Sequence, residues 1–228
     1  MKKIAVCLSG CGFLDGAEIH ESVLTLLAID QAGAKAICCA PDVAQAGVVN
    51  HATQKPESAQ RNVLVESARI ARGEIRNLKD MRASEVDALV FPGGFGAAKN
   101  LCTFASEGPT CTVHPEVERL VGEMLSAKKP IGAICIAPAM LARIVGRKEL
   151  HPKMTIGTDK ATAAAMNQMG AVHCDCAVTE MVVDEGCKIV TTPAYMTGRG
   201  PAEVYEGVRK LVMEVIRLTG GEVESCHI

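Results

Sequence analysis

Aromatic residues are scarce in this sequence: they make up 3% of the 228 residues, and tryptophan is absent. Proteins that bind single-stranded nucleic acids stack bases on broad aromatic side chains, so a nucleic-acid partner is disfavoured. Neither sign of charge dominates, since 24 Lys and Arg stand against 26 Asp and Glu and the formal net charge is -2. A balanced surface gathers neither polyanions nor anionic lipid. The expected partner is a small, soluble molecule.

Long apolar runs are missing as well. No stretch approaches the ~18 consecutive apolar residues that a membrane-spanning helix needs, so no membrane segment is predicted. The first residues, Met1–Val6, enter a strand pattern without the apolar core of a secretory signal. The 11 cysteines are odd in number, and Cys7, Cys38 and Cys39 lie in apolar, strand-like runs, which opposes a disulfide framework. We therefore expect a cytoplasmic protein with reduced thiols.

Apolar runs alternate with helical patterns along the chain. No long stretch rich in serine or proline divides it, which favours one domain over residues 1–228. The alternation is typical of an α/β fold with a mostly parallel central sheet and helices on both faces. The predicted strands are 3–8, 35–40, 87–91, 131–134, 154–156, 171–173, 181–183 and 188–191, and the predicted helices are 18–31, 62–72, 78–86, 113–127, 159–169 and 201–218, with 42–61 irregular.

Three Gly-rich loops follow predicted strands: residues 9–17, residues 92–94 and the turn that holds Cys135. Parallel sheets bind ligands beyond the carboxyl ends of their strands, so these loops should converge on one crevice. Cys135 lies between a buried strand and a helix, where a sharp turn projects its side chain over the sheet. The positive end of the helix dipole predicts a lowered thiol pKa. We interpret Cys135 as a nucleophile; the alternative is a small buried hydrophobe.

Groups that could assist this thiol lie in the other two loops. Gly93 and Gly94 offer backbone N–H groups that no side chain obstructs, as an oxyanion beside a nucleophile requires. Glu18 and Glu21 lie at the start of the first helix, and one of these carboxyl groups could reach the thiol and shuttle protons. His20, between them, is a candidate accessory acid or base. The alternatives are a strand terminator for Pro-Gly-Gly and helix stabilisers for the carboxylates.

A cofactor has little support in the sequence. The loop Ser-Gly-Cys-Gly at 9–12 lacks the Lys-Ser/Thr of a P-loop and the glycine pattern of a dinucleotide site. The run His173-Cys174-Asp175-Cys176 offers three soft ligands, but successive strand positions point to opposite faces and no second cysteine pair stands at zinc-site spacing. We predict neither a metal nor an organic cofactor.

Five runs of the sequence carry a family resemblance. They resemble the ElbB family of isoprenoid-biosynthesis-associated glyoxalases, within the PfpI-like, class I glutamine amidotransferase-like superfamily, and together they span essentially the whole chain. The runs are Gly-Ala-Ile-Cys-Ile-Ala-Pro-Ala-Met-Leu (132–141), Pro-Gly-Gly-Phe-Gly-Ala-Ala-Lys-Asn-Leu (92–101), Ser-Gly-Cys-Gly-Phe-Leu-Asp-Gly-Ala-Glu-Ile-His-Glu (9–21), Thr-Ile-Gly-Thr-Asp (155–159) and Val-Thr-Thr-Pro-Ala-Tyr-Met (190–196).

The resemblance implies a flavodoxin-like α/β sandwich, formed by a single PfpI-like domain over residues 1–228 and present as a homodimer. It implies that Cys135 is the elbow cysteine and Glu21 the glutamate beside it. Gly93, Gly94 and Ile136 are assigned to the oxyanion and substrate-binding part of the site.

One departure from the hydrolytic branches of that superfamily bears on the chemistry. Ile136 stands where the PfpI-like proteases carry histidine, and around Thr158 and Asp159 the histidine of the deglycase branch is missing. Without a Cys–His pair, hydrolysis of an amide is disfavoured, because its poor leaving group must be protonated.

Addition of a thiol to an aldehyde expels no leaving group, so it does not need such a proton donor. We predict a cofactor-independent glyoxalase, a lyase or hydratase that converts glyoxal to glycolate through a hemithioacetal on Cys135, with Glu21 as proton shuttle. Two alternatives stay open: a non-catalytic redox-sensing or binding protein that uses a reactive Cys135, and a glutaminase-like subunit that needs a partner.

Overall fold

The computed structural model describes residues 1–220. The predicted domain of residues 1–228 therefore includes a segment, 221–228, that lies outside the described residues. In the described part the strands are β1 (Lys3–Cys7), β2 (Lys35–Ala40), β3 (Val48–Asn50), β4 (Lys55–Glu57), β5 (Ile75–Asn77), β6 (Ala88–Phe91), β7 (Ile131–Ile134), β8 (Lys153–Met154), β9 (Val172–His173), β10 (Val182–Asp184) and β11 (Ile189–Thr192). The α-helices are α1 (Ile19–Gln31), α2 (Val63–Ile70), α3 (Phe95–Lys99), α4 (Phe104–Glu107), α5 (Pro115–Ser126), α6 (Ala137–Gly146), α7 (Lys160–Gln168) and α8 (Pro201–Leu218).

The central sheet explains how distant loops meet. Within residues 1–220 seven strands form it, in the order β10-β11-β7-β6-β1-β2-β5. Every neighbouring pair is parallel except the edge pair β10 and β11. The predicted α/β fold with a mostly parallel sheet is thereby confirmed. Because β1, β6 and β7 are adjacent, their carboxyl ends lie side by side at the middle of one edge.

The sheet has an apolar core on each face, because successive side chains of a strand point to opposite sides. Ala5 and Cys7 of β1 pack on one face with residues of α5 and α6. Ile4 and Val6 pack on the other with residues of α1 and α8. Gly132 allows α8 to lie against β7, since a Cβ there would be 2.8 Å from Cδ2 of Leu211.

Several segments differ from the sequence prediction. Residues 95–107, where no element was predicted, contain the short helices α3 and α4. The segment predicted to be irregular, 42–61, contains the hairpin of β3 and β4, whose second strand is exposed and includes Pro56. A short polar strand lacks the alternation that would mark it. The predicted helix at 78–86 is instead two 3-10 turns, Leu78–Asp80 and Ala83–Glu85, which follow the three-residue edge strand β5.

Candidate active site

Cys135 forms a sharp turn between β7 and α6. Its φ of 61° lies in the left-handed region that residues with a side chain seldom adopt. The Cys135 N–H donates to the carbonyl oxygen of Thr192 at 3.0 Å, at the end of the neighbouring strand β11, and so fixes the turn. Pro138 lies in the first turn of α6, where its missing N–H costs nothing. Backbone strain of this kind costs about 1–3 kcal/mol and is concentrated at functional turns.

Glu21 lies against this thiol from the first turn of α1. The residue is fully buried, and its carboxyl group lies beside the Cys135 side chain, since a Cβ on Gly93 would contact both groups. Its two oxygens also accept N–H groups, Oε2 from Gly93 at 2.9 Å and Oε1 from Tyr195 at 3.2 Å. Burial, and then the charge of Glu18, raise the pKa of Glu21 from 4.5 to about 7. At neutral pH the carboxyl group is therefore divided between its two protonation states, which suits a group that accepts and returns a proton.

The thiol itself is more basic than the sequence predicts. Burial, and then the charge of Glu21, raise the pKa of Cys135 well above 9.0. The backbone N–H groups of Gly94 and Ile136 lie near the sulfur, and they oppose this rise without cancelling it. The prediction of a lowered pKa is wrong, because desolvation of the thiolate outweighs the helix N-terminus in a site that excludes water. Burial and the charge of Glu21 therefore favour the protonated form of the Cys135 thiol.

The loop after β6 has no space for side chains. A Cβ on Gly93 would lie 2.5 Å from Cβ of Cys135 and 2.8 Å from Oε2 of Glu21. Gly94 has a φ of 86°, and a Cβ there would lie 2.4 Å from the backbone nitrogen of Glu18. The two glycines have different roles, since the Gly93 N–H is donated to Glu21 whereas the Gly94 N–H is directed at the sulfur. An oxyanion formed beside Cys135 would meet the N–H groups of Gly94 and Ile136.

His20 is not brought to the thiol. Its exposed ring shares a hydrogen bond of 2.7 Å between Nδ1 and the hydroxyl oxygen of Tyr195. Throughout residues 1–220, no hydrogen bond of a histidine side chain reaches Cys135. The structure thus places His20 at the rim of the site, in a pair with Tyr195.

Tyr195 is a site residue that the chemical reasoning from sequence missed. It contacts Glu21 through its backbone N–H, and it follows Ala194, which has a φ of 43°. The available signal was positional: the run that ends in Tyr195 follows β11, the strand next to β7, and so belongs to the same edge of the sheet.

Residues 1–220 contain no group of three or more His, Cys, Asp or Glu arranged to hold a metal ion. His173, considered above as a ligand, accepts the N–H of Ile156 on its Nε2 at 3.3 Å. None of the helices in this range has the length and apolar character needed to cross a membrane.

The sheet is mostly parallel, and a buried cysteine occupies a strained turn between a strand and a helix, so the chain is an α/β protein with an elbow cysteine. A sequence profile of the DJ-1/PfpI family matches residues 14–214, and the chain belongs to that family.

Individual relatives match over nearly the full length of this chain. The chain is 45% identical to the mitochondrial ES1 protein homolog of Rattus norvegicus, over 96% of this chain and 84% of that one. It is 44% identical, over the same shares, to the human mitochondrial glutamine amidotransferase-like class 1 domain-containing protein 3. The crystal structure of an isoprenoid biosynthesis protein with an amidotransferase-like domain from Ehrlichia chaffeensis superposes with a TM-score of 0.90 at 37% identity, covering 96% of this chain and 99% of that one. The names of the first two relatives place them in mitochondria, and the cytoplasmic location of this chain stays a prediction.

Proposed function

We propose that this protein is a cofactor-independent glyoxalase of the ElbB type, which converts glyoxal and other small 2-oxoaldehydes to 2-hydroxy acids. The observation that carries the proposal is the buried contact between the Cys135 thiol and the Glu21 carboxyl group, whose pKa is about 7. A base with a pKa near the working pH can take the thiol proton during attack and return it later in the cycle.

The first step forms a bond between Cys135 and the substrate. Sγ attacks one aldehyde carbon of glyoxal while Glu21 takes the thiol proton. The carbonyl π electrons move to the oxygen, where the N–H groups of Gly94 and Ile136 stabilise the negative charge. Transfer of the proton from Glu21 to this oxygen gives a neutral hemithioacetal and restores the carboxylate.

The second step moves hydrogen between the two carbons. The Glu21 carboxylate removes the C–H proton of the hemithioacetal carbon, which gives an enediolate. Glu21 returns this proton to the second carbon, and the hydroxyl proton of the first carbon passes to the oxygen of the second. The first carbon becomes the carbonyl of a thioester and the second becomes a primary alcohol. One carbon is oxidised as the other is reduced, so the step needs no external oxidant or reductant.

Hydrolysis closes the cycle. Water adds to the thioester carbonyl, the C–S bond breaks, and Cys135 regains its proton as glycolic acid leaves. The sum is glyoxal plus water to glycolic acid. An amine leaving group would instead need a proton donor on its own side of the carbonyl, and within residues 1–220 no histidine is bonded to the thiol. This favours aldehyde chemistry over glutaminase chemistry.

A redox-sensing role is supported less well by the same site. Peroxides react with thiolates, and their reaction rate follows the thiolate fraction and the exposure of the sulfur. Cys135 is 7% exposed, and burial raises its pKa. Both features slow oxidation, whereas a base in contact with the thiol allows it to react once a substrate is bound.

We also propose that two copies of the chain associate. Helix α1 exposes Ile19, Val23 and Leu27, at 43%, 49% and 40%, and their spacing of four residues places them on one stripe of the helix. A second copy covering this stripe would remove it from water. Light scattering should give a dimer mass for the wild-type protein and a monomer mass for Val23→Glu; a monomeric wild-type protein would refute this part of the proposal.

The activity is tested with glyoxal and four proteins, the wild type and three variants. The wild-type protein should produce glycolate from glyoxal, followed by proton NMR, and Cys135→Ser should produce none. Glu21→Gln should be slower by about 10²–10⁴-fold, the usual contribution of general acid–base catalysis. Cys176→Ser, a half-exposed thiol outside the site, serves as the matched control and should keep the wild-type rate. Hydroxy acid production by Cys135→Ser at the wild-type rate would overturn the proposal.

A further inference from the structure

A second cleft lies at the amino end of β2, beside the edge of the central sheet, and its volume is about 580 Å³. Its walls come from α1, the first half of β2, the turn after α2 and the start of β5. Cys135 and Gly93 lie instead at the carboxyl ends of the parallel strands, so the length of the strands separates the two sites. Ligand pockets in proteins commonly measure about 300–1,000 Å³, and this cleft falls within that range.

The floor of the cleft is apolar. It is lined by Leu26, Ala36, Ile70, Ala71 and Ile75, each of which is partly buried at the margin of the core that α1 and α8 cover. These side chains pack against the core on one side and stay open to water on the other. An apolar ligand in the cleft would remove this remaining surface from water, and such burial is the main source of affinity for an apolar molecule.

Ala36 lines the cleft with backbone groups that no strand pairs. The carbonyl oxygen of Cys39 accepts the N–H of Leu8 at 2.8 Å, so the odd-numbered residues of β2 direct their backbone groups at β1. Ala36 therefore directs its N–H and carbonyl oxygen to the opposite side. Within residues 1–220 the neighbour on that side is β5, which begins opposite Cys38 and does not reach Ala36. The cleft thus offers a backbone hydrogen-bond donor and acceptor beside its apolar floor.

The rim of the cleft carries charges without partners. Lys35 and Arg72 are exposed there, and none of the ion pairs within residues 1–220 involves either of them. Arg76 is different, because it binds Glu85 at 2.9 Å. Glu74 is the acid among the lining residues, and it also has no ion pair in this range. Two unpaired cations against one unpaired acid favour an anionic group at the rim.

We propose that this cleft binds a small molecule with an apolar body and one carboxylate group. The apolar body lies on the floor, and the carboxylate meets Lys35 and Arg72 at the rim. The N–H of Ala36 is a further donor that faces the same space, and hydrogen bonds to an ionised acceptor are the stronger kind. The inference goes beyond the proposed function, because neither Cys135 nor Glu21 lines the cleft.

The test uses octanoate as the probe, with octanol and octylamine as controls that share its chain but are neutral and cationic. Each is titrated into the full chain, and binding is followed by the amide signals of the protein in NMR spectra. Octanoate should shift the signals of Ala36 and Gly73 in a saturable manner and should bind more tightly than either control. The signal of Gly94, at the other end of the strands, should not move.

Variants at the rim test the part that charge plays. Lys35→Gln and Arg72→Gln should each weaken octanoate binding about two- to fivefold, the range that corresponds to one exposed ion pair. Glu74→Gln should strengthen it by a similar factor, because the variant removes a charge that repels the carboxylate. Lys55→Gln, which removes an exposed lysine of β4 outside the cleft, is the matched control and should keep the wild-type affinity. All four positions are exposed, so the fold should tolerate the changes.

Three results would overturn the proposal. Octanol binding as tightly as octanoate would show that the rim charges do not select the ligand, as would unchanged affinity in all three rim variants. Shifts confined to Gly94 and Cys135 would place octanoate in the thiol site instead. The absence of any saturable shift would show that the cleft takes no such ligand. Glyoxal turnover enters none of these measurements, so the failure of either proposal leaves the other standing.

Discussion

Replacing Glu21 with Gln should change how the stability of the fold depends on pH. The pKa of Glu21 is about 7 in the folded protein, against an ordinary value of 4.5 that stands for the unfolded chain. At about 1.4 kcal/mol per pKa unit, the difference between these values corresponds to about 3 kcal/mol of folding free energy. The full value applies because the side chain is completely buried, so solvent does not screen the effect.

The sign follows from the protons bound in each state. Because burial raises the pKa of Glu21, the folded protein binds more protons than the unfolded chain between pH 4.5 and about 7. Stability from this group is fully present below pH 4.5 and is lost as the pH rises through 7. Gln has no titrating proton, so Glu21→Gln lacks this loss. The Gln amide nitrogen cannot accept a hydrogen bond, so the N–H of Gly93 or Tyr195 loses its acceptor. This loss lowers the free energy of unfolding by about 1–3 kcal/mol at every pH.

Urea unfolding of both proteins, at intervals from about pH 4 to about pH 9, measures the difference. The free energy of unfolding of the wild type, minus that of Glu21→Gln, should fall by about 3 kcal/mol across this range. Groups that titrate equally in the two proteins cancel in this difference. A difference that stays constant with pH would refute the buried, proton-binding role of Glu21.

Three further predictions address the geometry around the thiol. Gly93→Ala puts a methyl group 2.5 Å from Cβ of Cys135 and should lower the free energy of unfolding in urea by about 1–3 kcal/mol. Gly47→Ala, at a position with open space, is the control and should change it little. Equal losses in the two variants would contradict the tight fit at Gly93. Cys135→Gly should be more stable than Cys135→Ala by about 1 kcal/mol, because glycine tolerates the φ of 61°, and the opposite order in thermal unfolding would refute strain at the elbow. Asn100→Ala removes hydrogen bonds to two carbonyl oxygens of the loop after β1, at 2.8 and 2.9 Å, and should lower the free energy of unfolding by about 2–4 kcal/mol. A loss below about 1 kcal/mol in urea unfolding would show that the loop does not depend on Asn100.

Local signals predicted much of the fold. The strands at 35–40 and 131–134 and the helix at 201–218 have the predicted bounds, since apolar runs and flanking Gly or Pro mark them clearly. The hairpin of β3 and β4 and the edge strand β5 escaped prediction. Each of these strands has three residues and gains its structure from neighbours rather than from its own pattern.

The sequence predicted which loops converge on the site, but it did not predict the pKa values of the groups there. Topology brings Cys135, Glu21 and Gly93 together, because the strands before them are adjacent in the sheet. The contact between the Tyr195 N–H and Glu21 depends on a distance that the sequence does not contain. The pKa of Cys135 was predicted in the wrong direction for the same reason, because burial and the charge of Glu21 raise it and neither is visible before folding.

The central claim is that Cys135 attacks an aldehyde carbon with Glu21 as its base. Mass spectrometry of the Cys135 peptide, taken from acid-quenched mixtures during glyoxal turnover, tests it most directly. The account predicts an adduct with the composition of one glyoxal on Cys135, which forms with the wild type, decays as glycolate accumulates, and builds up much more slowly in Glu21→Gln. Glycolate production at the wild-type rate by Cys135→Ala, with no adduct on the wild-type peptide, would contradict it.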